Sequence, residues 1–191
     1  MKRLFVAINL PVDIKNKIDE AIRKLQGHKD IRFIQPENWH LTICFLGYQP
    51  DEAINPILES IKEIIRNEAG PAIEFEKIIL APPGRTPRMI WLTGTKETSR
   101  KLDEIKNHLE NKLIESGVKF QPENRPYNAH LTLARFQPAQ INVDTISINQ
   151  FLNQHKSALT FQANSIDLME SHLKRTGAEY EILTNLAFLN K

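Results

Sequence analysis

The sequence predicts an α+β fold built on antiparallel sheet, and two observations predict it. Strand-like and helix-like periods are interspersed along the 191 residues, yet the strand-like runs fall in hairpin-like pairs rather than in a doubly wound parallel order. One element also occurs twice. Gln-Pro-Glu-Asn stands at 35–38 and again at 121–124, and each copy is followed, after a spacer of different length, by His-Leu-Thr at 40–42 and 130–132. No Ser/Gly linker, low-complexity segment or charge block divides the chain. The repeat therefore reads as one motif in each of two lobes of a single domain spanning 1–191.

Each element follows from its local pattern. RLFVAIN (3–9) is β-rich and continuous, as an interior strand is. Pro11 opens a helix with Ile14, Ile18, Ala21, Ile22 and Leu25 on one face, ended by Gly27. IRFIQ (31–35) and HLTICFLG (40–47) read as strands. A second amphipathic helix carries Ile54, Ile57, Leu58, Ile61, Ile64 and Ile65, with Pro56 tolerated in its first turn. AIEFEKIIL (72–80) and RMIWLTG (88–94) form a strand pair across the loop APPGRTP. Leu102, Ile105, Leu109 and Leu113 mark a third helix, with Gly117 placed as its C-terminal cap. VKFQ (118–121) and AHLTLARF (129–136) mirror the earlier strand pair. A short helix over 144–155 and two strand-like runs, 158–170 and 178–189, finish the chain.

Composition excludes several classes. Hydrophobic residues make up 41% and charged residues 25%, a globular balance. Lys and Arg number 25 against 23 Asp and Glu, so the net charge of +2 lacks the basic footprint of a general duplex binder. The lone Cys44 excludes an intrachain disulfide framework, and no run approaches the ~20 apolar residues of a membrane span. The apolar run after Met1 is short and interrupted by Asn9 and Pro11, so it reads as a core strand rather than a signal peptide. The expectation is a cytoplasmic protein without membrane attachment.

Residues two apart on a strand share a face. His40 and Thr42 therefore project together while Leu41 and Ile43 enter the core, and His130 and Thr132 do the same against Leu131 and Leu133. If the lobes face each other, two imidazoles and two hydroxyls converge on one cleft. One neutral imidazole can take a proton from an attacking hydroxyl or water, and a protonated one can give a proton to a leaving oxygen. The threonine hydroxyls can hold the non-bridging oxygens of a phosphate. No Cys or carboxylate stands at ligand spacing beside either histidine, which favours acid–base work over metal binding. His28, His108, His155 and His172 lie in polar or helical settings and read as bland. Cys44 shares the parity of His40 and reads as a small buried residue. Arg85 and Arg88 in the APPGRTPRM loop are cationic candidates for substrate, and Phe33, Trp39 and Tyr127 are aromatic candidates for stacking on a base.

At these residues the sequence resembles the two-histidine (2H) phosphoesterases, and among them the RNA 2′,3′-cyclic phosphodiesterases, also called 2′-5′ RNA ligases of the LigT or ThpR type. RLFVAINLP, HLTICFLG, RMIWL, AHLTLAR and LMESHLKRTGAEYEIL follow that family's pattern in order over nearly the whole chain. The resemblance implies a bilobal fold in which two antiparallel sheets line a central cleft with helices outside. It implies hydrolysis of RNA 2′,3′-cyclic phosphate ends, tRNA fragments among them, to 2′-phosphomonoesters by a monomer without cofactor or metal. His40 would be the proton donor and His130 the acceptor, with 2′-5′ ligation as the reverse-type reaction. The same four residues would also serve a phosphodiesterase of small cyclic nucleotides or ADP-ribose cyclic phosphate, or a nucleotide-binding module without turnover. Two positions stand out. The family commonly has Pro before the second motif where this chain has Ala129, which predicts a looser start to that strand. Arg135 matches a common family arginine for the phosphate, but strict alternation puts it opposite His130 unless the strand ends or bulges. Arg135, Arg88, Tyr127 and Phe33 complete the expected substrate-binding set.

Overall fold

The computed structural model describes residues 1–23, 30–137, 159–174 and 177–189. The first strand, β1 (Lys2–Asn9), leads into helix α1 (Val12–Ile22), and a short β2 (Ile31–Phe33) precedes β3 (His40–Gln49). Helix α2 (Ile54–Asn67), strands β4 (Ala72–Ala81) and β5 (Met89–Gly94), helix α3 (Lys96–Glu115) and β6 (His130–Phe136) follow. The C-terminal part supplies β7 (Thr160–Gln162), β8 (Ser165–Lys174) and β9 (Gly177–Ala187). Gly27 and the helix expected over 144–155 lie outside the described residues.

The strands form two antiparallel sheets with orders β3-β1-β8-β9 and β2-β6-β5-β4-β7. His40 starts a strand of the first sheet and His130 a strand of the second. The sheets are not the two halves of the sequence. β2, from the N-terminal half, pairs with β6, and the C-terminal hairpin β8–β9 completes the first sheet beside β1.

The helices are amphipathic as their spacing requires. Ile14, Ile18 and Ile22 of α1, Ile57, Ile61 and Ile64 of α2, and Leu102, Leu109 and Leu113 of α3 are buried in the main hydrophobic cluster. That cluster also holds Leu4, Val6 and Ile8 of the first sheet and Leu92, Leu131 and Leu133 of the second, so both sheets share one apolar core. Each such side chain contributes ~1.5–3 kcal/mol on burial. The Thr95 side chain caps α3 by accepting from the Thr98 N–H at 3.1 Å, and Gly117 ends the helix at φ 75°, where a Cβ would be strained.

Two expected strands differ. Residues 118–121 form no strand, although Val118 is buried. β6 is already flanked by β2 and β5, so the segment cannot pair with it; the Lys119 carbonyl accepts from the Gln49 side chain at 2.8 Å instead. The run 158–170 divides into β7 and β8, which join different sheets.

Candidate active site

Both histidines are held in the same way. His40 Nδ1 lies 2.9 Å from the Asn38 carbonyl, and His130 Nδ1 lies 2.7 Å from the Asn128 carbonyl. A carbonyl oxygen only accepts, so Nδ1 carries the proton in each ring and Nε2 is left for chemistry. The structural repeat is therefore Asn-x-His-Leu-Thr, not Gln-Pro-Glu-Asn. In the first copy Pro36–Asn38 forms a 3-10 turn directly before β3. In the second, residues 121–124 lie in a loop where the Glu123 carbonyl accepts from Lys106 Nζ at 3.0 Å.

Alternation holds through each motif and then breaks. Leu41, Ile43, Leu131 and Leu133 are buried, and His40, Thr42, His130 and Thr132 are half-buried on the other face. In β3 the pairing to β1 passes from Thr42 to Cys44, and in β6 the pairing to β5 passes from Thr132 to Ala134, so Ile43 and Leu133 are extra residues at β-bulges. Each bulge turns the following residue back into the core. Cys44 is buried, with its thiol pushed up to about 12 by burial and by Glu110. The next residues, Phe45 and Arg135, emerge on the histidine face. This bulge resolves the parity of Arg135, which shares a face with His130 and Thr132.

Aromatic rings wall both imidazoles. Phe5 and Tyr180 lie 4.9 and 4.7 Å from His40 by ring centroids, the second edge-on. The Trp91 indole stacks on His130 at 3.9 Å and 26°. Burial dominates the titration of both rings. It lowers His40 to about 4, with the Asn38 carbonyl opposing and the charges of Lys15 and His130 adding to the fall. It also lowers His130, opposed by the Asn128 carbonyl.

Helix α3 positions the second motif through a polar stripe at helical spacing. Ser99 Oγ accepts from the Ala129 N–H at 3.1 Å, Asp103 Oδ1 from the Tyr127 N–H at 3.3 Å, and Lys106 donates to the Glu123 carbonyl. The Ala129 carbonyl accepts from the Gly94 N–H at 2.8 Å. The strand start at Ala129 is thus tied rather than loose. A proline there would lack the N–H that Ser99 accepts.

Of the aromatic candidates, Phe33 and Tyr127 are partly buried and pack against the core, and Trp39 is fully buried. The reason for Phe33 is register: it stands opposite Ala134, on the core side of β2, while its neighbour Arg32 faces Arg135. Tyr127 Oη donates to the Thr42 carbonyl at 2.6 Å, joining the loop before the second motif to the strand of the first. Burial raises its phenol above the usual range, so it stays a donor. Tyr127→Phe is expected to cost ~1–3 kcal/mol, as for an unmet buried acceptor, and to lower kcat several-fold by loosening the relation of the motifs. A variant with unchanged kcat and unchanged thermal midpoint would mean that this bond does not set that relation.

Arg88 and Arg135 line one hollow of about 450 Å³ with Phe136 and Gln137, whereas Arg85 is an exposed loop residue that does not line it. His108 pairs with Glu68 at 2.9 Å and His172 with Glu181 at 3.1 Å; His28 and His155 lie outside the described residues. Among the described residues, the group able to offer three metal-ligand atoms to one point is Glu170, His172 and Glu181, which includes neither motif histidine. No described helix is long and apolar enough to cross a membrane. The residues beside these candidates that the sequence did not single out are Phe5, Trp91 and Tyr180, against the imidazoles, and Arg32, opposite Arg135. For Trp91 the signal is its alternation with Met89 and Thr93.

The model of the family described as LigT like phosphoesterase matches residues 8–91 and 93–180. An RNA 2′,3′-cyclic phosphodiesterase of Archaeoglobus fulgidus is 31% identical over 133 residues, 70% of this chain and 72% of its own length. One from Bacillus subtilis is 30% identical over 131 residues, 69% of each. The structure of Escherichia coli LigT complexed with 3′-AMP superposes with a TM-score of 0.77 at 24% identity, covering 99% of both chains.

Proposed function

The chain belongs to the LigT-like phosphoesterase family, and from that premise and the paired imidazoles we propose that it hydrolyses RNA 2′,3′-cyclic phosphate ends to 2′-phosphomonoesters. The observation that carries the reading is the matched bonding of the two rings, with each Nδ1 on a carbonyl two residues back and each Nε2 left for the substrate.

In this mechanism His130 Nε2 takes a proton from a water that attacks phosphorus, and protonated His40 gives one from Nε2 to the departing ribose 3′ oxygen. The phosphate keeps its bond to the 2′ oxygen. Positive charge forming on His130 develops over the face of Trp91, where an indole stabilises a cation by ~0.5–2 kcal/mol. Thr42 and Thr132 donate to the non-bridging oxygens. Replacing the water by a ribose 5′-hydroxyl gives 2′-5′ ligation with the same proton transfers. Arg135 and Arg88 supply positive charge to the substrate farther along the second sheet. No metal is required in this scheme, and among the described residues the group able to offer three ligand atoms includes neither motif histidine. Monomeric action in the cytoplasm on cyclic-ended RNA, tRNA fragments included, completes the reading.

The lowered His40 conflicts with a donor that is charged in the free protein at neutral pH. Binding resolves it, because an anionic phosphate beside the ring favours the imidazolium and raises its pKa. Since both rings titrate below 6.5 when free, kcat/KM is expected to peak on the acid side of neutrality. The profile for kcat shifts upward once phosphate is bound, and the two limbs belong to the pair. The decisive assay incubates a 2′,3′-cyclic-ended oligonucleotide with the protein in EDTA across pH and compares the product with 2′- and 3′-phosphate standards. The expected result is a 2′-phosphate formed at an unaltered rate. Activity lost to EDTA and restored by a divalent ion, or a 3′-phosphate product, would overturn the mechanism.

A further inference from the structure

We propose that the far end of the second sheet's cleft face is a subsite for a non-reacting phosphodiester of the RNA chain, formed by Arg32, Arg135 and Arg88. The inference rests on the phosphodiesterase reading and names what that site takes: an oligonucleotide end in preference to a mononucleotide.

Arg32 and Arg135 stand directly opposite each other on β2 and β6, and the bulge at Leu133 puts both on the face that carries His130 and Thr132. Like charges opposite one another on neighbouring strands repel. An acidic partner would relieve the repulsion, yet among the described residues none of Arg32, Arg88 and Arg135 has a carboxylate partner. Arg100 and Arg125, by contrast, are paired with Glu97 and Glu123. Arg135 and Arg88 share the hollow of about 450 Å³, room enough for a phosphate group.

The site is separate from the reacting phosphate. Arg135 Nη1 rests 3.4 Å from Sδ of Met89, its cross-strand partner. Met89 lies four residues along β5 from Thr93, the partner of His130, which is roughly 13 Å of strand. A guanidinium held at that level meets the next backbone phosphate rather than the cyclic one. Arg32 also links the two sheets. Its guanidinium lies against Gly177 at the start of β9, where a Cβ would come within 1.7 Å of Nη2, and Gly177 has a φ of 134° that only glycine adopts readily.

The test compares kcat/KM for a 2′,3′-cyclic mononucleotide with that for a dinucleotide bearing the same cyclic end. Wild type is expected to prefer the dinucleotide by about tenfold or more, as for one charge-assisted arginine–phosphate contact. The ratio should fall toward one in Arg32→Gln and in Arg88→Gln, both of which keep an unbranched stem. Lys62→Gln, an exposed charge on α2, should leave it unchanged. The wild-type preference should also shrink with salt, by close to one counterion per phosphate. An equal loss on both substrates, or a wild-type ratio near one, would overturn the subsite and leave the phosphodiesterase reading standing. Absence of turnover on both substrates in wild type would overturn the function itself, and the subsite with it.

Discussion

His40→Ala and His130→Ala each lower kcat for cyclic phosphate hydrolysis by about 10²–10⁴-fold, the usual worth of a positioned acid or base. Each change removes the sole Nε2 that its motif presents, and neither threonine can replace it as a proton carrier near neutral pH. Folding survives, because both side chains sit on the cleft face while Leu41, Leu131 and Leu133 hold the strands in the core. A folded variant with wild-type turnover would sink the assignment. Titration gives an independent readout. The folded value of His40 lies below its unfolded value, so the unfolded chain binds the proton first. Stability is therefore fully present above about 6.5 and declines as pH falls from there toward about 4. That part of the acid sensitivity should be absent from thermal melts of His40→Ala.

Glu110→Leu destabilises the protein by about 3–5 kcal/mol, the largest stability effect expected outside the apolar core. Lys106 and Glu110 are only 3% and 8% exposed and lie 3.0 Å apart, so removing the carboxylate strands a buried ammonium. For a chain of this size that corresponds to a thermal midpoint lower by roughly 10 °C. The double replacement Lys106→Met/Glu110→Leu should recover most of the loss, since desolvating an ion pair offsets much of its attraction. Activity should not recover with it. Lys106 also holds the Glu123 carbonyl in the loop leading to Tyr127 and His130, and the double variant lacks that hold. Equal melting of Glu110→Leu and wild type would show that the pair carries no such stability, and full activity in the double variant would show that the loop does not depend on it.

Much of this was legible from local pattern. The helical stripes of Ile57, Ile61 and Ile64 and of Leu102, Leu109 and Leu113 are read from their spacing, and they are buried where that spacing puts them. His40 with Thr42 and His130 with Thr132 share a face because the period of a strand is two, a property of backbone geometry that needs no partner. The halves appeared equivalent because both carry His-Leu-Thr. Yet the repeated Gln-Pro-Glu-Asn misaligned them, since only the bond from each ring to the carbonyl two residues back identifies Asn128 as the counterpart of Asn38.

The sequence by itself determined the antiparallel α+β class, the core faces of the helices and the shared face of each motif's histidine and threonine, since each depends on residues a few positions apart. Only the tertiary structure decided that β2 crosses to the second sheet, because strand pairing is chosen by a free edge far away in sequence. It alone decided the bulges that bury Cys44 and turn Arg135 outward, because a bulge exists only relative to the strand beside it. It made Tyr127 a tie to Thr42 and gave His40 and His130 their aromatic walls, through contacts between segments tens of residues apart. The lowered titration of both imidazoles has the same origin, since burial is a sum over every element packed around a group and no short stretch of sequence contains it.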